Sequence, residues 1–229
     1  MKVKLLAHSQ PHRIHSGEPG FRGLENIQDL IAYCARVSNP GNQSNTKTTP
    51  KLLQYLIKNK HWSPFEMASA TFEVETTRDI ARQFLRHRSF SFQEFSQRYA
   101  DPSDMGETFV IREARLQDPK NRQNSVEIDS EEDIHYAWAS RQEEVIEAAR
   151  KAYKWARESG IAKEQARVVL PEGNTISRLY VNGTIRSWIH YIELRSANGT
   201  QKEHIDLAIE VARAIGQIYP SITDFIQGE

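Results

Sequence analysis

The residues best equipped for chemistry lie between Arg82 and Tyr99, in the order Arg-Gln-Phe-Leu-Arg-His-Arg-Ser-Phe-Ser-Phe-Gln-Glu-Phe-Ser-Gln-Arg-Tyr. Arg82, Arg86, Arg88 and Arg98 are grouped there with His87, Glu94 and Ser96. A guanidinium is a planar fork of donors that matches phosphate oxygens two at a time. On a helix Arg82 and Arg86 share a face, with Gln83 one step round. Such a set could hold a phosphate, a planar heterocycle and a ribose together. The same residue types allow two plainer readings. One is an exposed basic helix end paired with acidic neighbours. The other is an RNA- or DNA-binding module in which Phe84, Phe90, Phe92, Phe95 and Tyr99 serve as stacking platforms.

The elements that must position this segment follow from periodicity. Ala68, Ala70, Phe72 and Val74 alternate with Ser69, Thr71, Glu73 and Glu75, the pattern of a half-buried strand. Thr77 can cap a short helix through Ile80, Ala81, Phe84 and Leu85. That helix delivers Arg86-His87-Arg88 at its end, just before an irregular stretch. Upstream, residues 1–9 read as a strand, followed by loop chemistry at Pro11, Gly17, Pro19, Gly20 and Gly23. Ile27, Leu30, Ile31, Cys34 and Ala35 read as an amphipathic helix over 24–37. Thr49-Pro50 reads as an N-cap with proline at the first helical position, opening a helix that stops near His61. Downstream, a strand is expected near 107–113 and a polar loop at 118–125. A long helix is expected from 130 to 158, with Ser130 as N-cap and Gly160 beyond its end. A short helix, a strand at 175–182 and helices at 185–195 and 201–217 complete the chain. The mixture predicts an α+β fold in one domain over 1–229, with a central, mostly antiparallel sheet flanked by helices.

Composition narrows the function. The chain has 229 residues, 38% hydrophobic and 26% charged, with a formal net charge of +0. A chain of this length buries a real core without disulfide or metal staples. Neutrality argues against a protein that coats nucleic acid, so the cationic segment suits one bound anion better than a polyanion. The one cysteine, Cys34, excludes an intramolecular disulfide and any multi-cysteine metal site, and fits a reducing cytosol. It falls on the apolar face of a helix, as an inert core residue does. A metal-dependent nucleotide hydrolase is disfavoured as well. The histidines are scattered, no His-Glu-x-x-His occurs, and no acidic pair accompanies the arginines, so no metal is expected. No apolar run reaches the roughly 20 residues of a spanning helix. The expectation is a soluble, cytoplasmic protein with no membrane or nucleic-acid partner.

Arg86-His87-Arg88, seven residues, then Ser96-Gln97-Arg98-Tyr99 resembles the signature of the flavin-dependent thymidylate synthases. Glu94 falls two before the serine and Ala81-Arg82-Gln83 leads in, both as in that family. His61-Trp-Ser-Pro-Phe-Glu66 is similar to the family's His-x-x-Pro-Phe-Glu element, and Ala166-Arg167-Val-Val-Leu170-Pro171 to its Ala-Arg-x-x-Leu-Pro. The run Arg186 to Arg195, with Gln201 and Glu203, resembles the last block. Departures are mild in the signature, where Gln93 stands for a frequent Asn. They are more numerous near Thr184, His190 and Gly199.

The resemblance implies reductive methylation of dUMP to dTMP. FAD reduced by NADPH supplies the hydride, and 5,10-methylenetetrahydrofolate supplies the carbon. Arg195 would lie against the uracil and favour its electron-rich form, and Ser96 would be an orienting hydroxyl. Gln83, Arg86, Glu94, Ser96, Arg98, Arg167 and Arg195 would bind dUMP. His61, Ser63, Arg86, His87, Arg88, Glu94, Thr184, Arg186 and His190 would face FAD. Members are homotetramers with active sites shared between subunits, and the long helix with Ile134, Trp138, Val145 and Ala149 is a candidate for those contacts, or equally a core helix within one subunit. The chain carries no Gly-x-Gly-x-x-Gly and no Walker loop, so the phosphates of the flavin would rest on arginines.

Overall fold

The computed structural model describes residues 1–12, 23–128 and 133–226. Four strands form the main sheet: β1 (Lys2–His8), β2 (Ser69–Thr77), β3 (Phe90–Glu94) and β6 (Ile176–Thr184). Their order is β1-β2-β6-β3 and every pairing is antiparallel. The alternation in β2 is as expected, with Ala70, Phe72 and Val74 buried and Ser69, Thr71, Glu73 and Glu75 half-exposed. In register with them, Val181 faces Phe72 and Leu179 faces Val74.

Helices α6 (Ile185–Arg195) and α7 (Lys202–Gly216) lie against this apolar surface, α6 leaving directly from the end of β6. Trp188, fully buried on α6, stands edge-on to Phe72 and donates its indole N–H to the Ala70 carbonyl at 3.2 Å. Helices α1 (Ile27–Ala35) and α2 (Thr49–Lys58) contribute Ile27, Ile31, Leu53 and Leu56 to the same core. The long helix α4 (Asp133–Glu158) is almost separate. Its Tyr153 and Ala156 pack on Ala166 of α5 (Lys163–Ala166) in a small second cluster. The expected cap Ser130 lies outside the described residues, as do Gly17, Pro19 and Gly20. Gly160 follows α4 with φ 79°, a left-handed conformation that ends helices and favours glycine.

Three local expectations need correction. Thr49 is inside α2, not its cap. Thr48 holds the cap position, and the Thr49 hydroxyl donates instead to the buried Asp29 carboxylate at 3.1 Å. The stretch after Arg88 is not irregular, because Phe90 and Phe92 alternate with Ser91 and Gln93 and pair with β6 as β3. The strand expected at 107–113 is only an extended segment with one bridge, Phe109 to Thr175. Side chains take the backbone groups that a ladder would have used. Gln142 of α4 accepts from Arg112 N at 2.9 Å and donates to Arg112 O at 2.8 Å, and Asn174 donates to Val110 O at 2.9 Å. Groups paired in this way are not available to a neighbouring strand. A short hairpin, β4 (Arg115–Gln117) with β5 (Ser125–Glu127), closes around the expected polar loop. There the Asp118 carboxylate accepts from Lys120 N, Asn121 N and Asn124 Nδ2. Among the described residues no helix is long and apolar enough to cross a membrane.

Candidate active site

Helix α3 (Arg78–Phe84) begins where β2 ends. Its Ile80, Ala81 and Phe84 are fully buried, and Phe84 stacks on Tyr191 of α6 at 4.6 Å. With that stripe inside, helical spacing turns Arg82, Gln83 and Arg86 outward. β3 then runs back along β6 and brings Glu94 opposite Leu179. Glu94 accepts from Arg82 and from Ser177 Oγ at 2.9 Å, and Arg78 lies 3.7 Å away. Burial depresses the Arg78 pKa while Glu94 opposes the fall. Glu94 is thus a fixed anion that orders the root of the arginine segment.

The C-terminal end of α6 meets the segment at His87, where Arg195 Nε donates to His87 Nε2 at 2.8 Å. An arginine N–H can only donate, so this ring nitrogen is unprotonated and the imidazole neutral. Burial, reinforced by the Arg195 charge, lowers the His87 pKa to about 4. Burial also lowers that of Arg195, with Arg86 adding to it. Gln83 is tied from two sides, donating to Gln201 at 2.8 Å and lying 3.2 Å from His204 Nδ1.

The other expected residues fall into two further groups. Arg186 and His190, one helical turn apart on α6, face the turn that holds Ser63. Arg186 pairs with Glu66, and His190 stands edge-on to Trp62 at 4.8 Å. Burial and Arg186 lower the His190 pKa. His61 is exposed beside Tyr55, Ser63 is exposed, and Thr184 caps α6 by accepting from Ser187 N at 3.2 Å. In the third group Arg98 pairs with Glu164 at 3.2 Å. Arg167 lies near enough to Arg78 to oppose its charge. Ser96 Oγ accepts from Arg98 N at 3.4 Å, and among the described residues no histidine or carboxylate is hydrogen-bonded to it. That is the setting of an orienting hydroxyl rather than an activated nucleophile. Arg86, Arg88 and Arg167 have no carboxylate partner among the described residues. Cys34 is half-buried, with burial raising its pKa, as an unreactive thiol requires.

Two residues joined to this cluster were not legible as functional. His204 falls in register with Leu207, Ala208 and Val211 on the buried face of α7, and a polar residue at such a position was the signal available. Arg115, which pairs with Glu203, carried no local signal at all. Clefts of about 700 and 720 Å³ lie beside the hairpin and beside β1, and none of the expected site residues lines either. The expected residues instead spread over an open face.

Guanidiniums without a carboxylate partner among the described residues, near a neutral histidine and the edge strand β3, can pair with an anionic group such as a phosphate. The profile of the family described as thymidylate synthase complementing protein matches residues 23–221. A probable flavin-dependent thymidylate synthase of Paramecium bursaria Chlorella virus 1 is 52% identical over 205 residues, covering 90% of this chain and 93% of that protein. The flavin-dependent thymidylate synthase of Synechocystis is 45% identical over 222 residues, covering 97% of each. A UMP/dUMP methylase, PolB from Streptomyces cacaoi, solved with 5-Br dUMP, superposes with a TM-score of 0.77 at 26% identity, covering 98% of this chain and 93% of that one. The chain belongs to the flavin-dependent thymidylate synthase family. These relatives give no support to the reading as a nucleic-acid-binding module.

Proposed function

We propose that this chain, acting as one domain over 1–229, methylates dUMP to dTMP at the face where α3, β3 and α6 meet. The observation that carries the reading is that Arg86 and Arg88, which flank the His87 held by Arg195, have no carboxylate partner among the described residues, and neither has Arg167 near Arg78. Uncompensated guanidiniums on a protein surface are what phosphate groups require. The residues therefore fit both a nucleotide and the pyrophosphate of FAD. Arg86, Arg98, Arg167, Gln83, Glu94 and Ser96 hold dUMP. His61, Ser63, His87, Arg88, Thr184, Arg186 and His190 face the flavin, with Arg86 and Glu94 between the two ligands.

When bound and reduced by NADPH, FAD supplies the hydride, and methylenetetrahydrofolate supplies the carbon. The protein's part is binding, orientation and electrostatics. Arg195 is held through Nε by neutral His87, which leaves its terminal nitrogens to face the pyrimidine. A fixed positive charge there stabilises negative charge developing on the ring. His87 adds no competing cation, because burial keeps it neutral. Charge at that point increases electron density at C5, the carbon that must attack, without any protein nucleophile.

The open face gains its walls from other copies of the chain in a homotetramer. Tyr136, Trp138, Val145 and Trp155 leave apolar surface exposed along α4, at 71%, 46%, 54% and 64%. Large exposed aromatics on a helix that scarcely joins the core suit a subunit contact. The enzyme works in the cytoplasm. Loss of Arg195 tests the site directly. Arg195→Ala is expected to retain FAD, and to lose release of the dUMP C5 hydrogen to solvent. Full release by that variant would remove Arg195 from the mechanism.

A further inference from the structure

From the hairpin to the signature helix runs an unbroken chain of hydrogen bonds. Arg115 donates to one oxygen of Glu203. Gln201 Nε2 donates to the other at 2.9 Å, and Gln83 Nε2 donates to Gln201 Oε1 at 2.8 Å. Gln83 Oε1 lies 3.2 Å from His204 Nδ1. Each link constrains the next. Arginine can only donate and a carboxylate can only accept. Gln201 must therefore turn its amide N–H to Glu203 and its carbonyl to Gln83. Gln83 must then turn its N–H to Gln201, which leaves its carbonyl facing His204. That carbonyl needs a donor, so His204 carries its proton on Nδ1.

The far end of the chain agrees. His204 is fully buried among Phe84, Tyr191 and His87, and its Nε2 has no partner among the described residues. A proton on Nε2 would bury an N–H without an acceptor and set two acceptors face to face at Gln83. A second proton would put a cation beside Arg195. Burial, with Arg195 and His87, pushes the pKa down to about 3. At the near end, burial raises the Glu203 carboxyl, yet the hydrogen bonds from Arg115, its own backbone and Gln201 leave it below the ordinary range.

We propose that His204 is a positioning residue which, with Gln201 and Glu203, locks the Gln83 amide in one orientation and so sets the preference for uracil over cytosine. Among the described residues Gln83 retains one N–H and one carbonyl lone pair without a partner, in fixed places. Half a turn of the amide would exchange them. That exchange is the difference between a partner for the O4 and N3–H edge of uracil and one for the N4–H and N3 edge of cytosine. Because an unrestrained glutamine samples both orientations, the discrimination comes from the residues behind it. The inference rests on the proposed assignment of Gln83 to the nucleotide.

Two measurements on the FAD-loaded enzyme test it. Nitrogen-15 NMR of the His204 ring is expected to show the Nδ1–H tautomer. Binding of dUMP and dCMP, followed by the change in flavin absorbance, is compared in His204→Asn and His204→Leu. Asparagine returns a donor near the Nδ1 position, whereas leucine suits the aromatic surroundings but donates nothing. The expected result is near-normal discrimination with His204→Asn and a three- to tenfold loss with His204→Leu, the worth of one hydrogen bond. A residue that merely fills space predicts the reverse order. An Nε2–H tautomer, or unchanged discrimination in His204→Leu, overturns the proposal. Unaltered dUMP affinity in Gln83→Ala also overturns it, through the site assignment, and is told apart because the tautomer then remains as expected.

Discussion

Gly183 sits in β6 directly opposite Phe90, the first residue of β3, and the absence of a side chain there is what lets the ring lie flat on the sheet. A methyl group built on Gly183 falls inside the contact radii of Phe90 Cδ1 and Cε1. The ring cannot swing away cheaply. Its centroid is 4.4 Å from Trp188 and 5.8 Å from Phe84, and both of those side chains are fully buried. Gly183→Ala should thus carry the usual cost of overpacking, about 1–3 kcal/mol. Replacing a strand glycine returns roughly 0.5–1 kcal/mol through the unfolded chain, since Gly183 does not have a positive φ. The net loss is at most about 2.5 kcal/mol, and at about 2–4 °C per kcal/mol for a chain of this size the melting temperature falls by up to roughly 10 °C. Phe90 follows Arg86-His87-Arg88 closely, so the displaced ring should also weaken dUMP and FAD binding. The assay is a thermal melt of Gly183→Ala, Phe90→Ala and the double variant. In the Phe90→Ala background the Gly183→Ala penalty should vanish, because the clash has lost its partner. Equal penalties in both backgrounds would refute the reasoning.

Three further outcomes are expected. His204 and His87 have folded pKa values of about 3 and about 4, below the ordinary 6.5. The unfolded chain therefore binds the extra protons, and stability is full above about pH 6.5 and lost as pH falls toward those values. For fully buried His204 the slope is about 1.4 kcal/mol per pH unit, so urea midpoints between pH 6.5 and 5 should fall more gently in His204→Asn; an unchanged slope would contradict this. Arg112 donates to Asp79 at 2.6 and 2.8 Å and to Thr77 at 2.5 Å, clamping the 107–113 segment to the junction of β2 and α3. Arg112→Ala should cost about 1–3 kcal/mol by leaving that carboxylate without its partner, seen as a lowered melting temperature that Asp79→Asn in the same chain makes little worse. Finally, Glu94→Gln frees Arg82 and Arg78 from their shared anion and should weaken dUMP binding about tenfold, the worth of about one charged hydrogen bond; calorimetric titration with wild-type affinity would show that Glu94 is not the organiser of the segment.

The main elements were legible because their periodicities are clean: β2 alternates without a break, and α7 repeats Leu207, Ala208, Val211 and Ile215 on its buried face. The strand missed at 90–94 hides its alternation inside a functional motif, where Ser91 and Gln93 read as loop residues. The false strand at 107–113 has strand-like residues, but Gln142 and Asn174, distant in sequence, claim its backbone. At the site, the arginines and His87 could be named from the motif alone. Their pairing could not, since Arg195 reaches His87, and Gln83 reaches His204, across more than a hundred residues. Long-range polar partners leave no periodic trace in the chain.

The central claim, a flavin and dUMP meeting at the arginines of the signature segment and Arg195, is tested most directly by the visible spectrum of the purified protein. The protein should be yellow, or become so on adding FAD. It should bleach when NADPH and dUMP are supplied, and form dTMP once methylenetetrahydrofolate is added. A colourless protein that takes up no FAD and leaves dUMP unchanged would contradict the account.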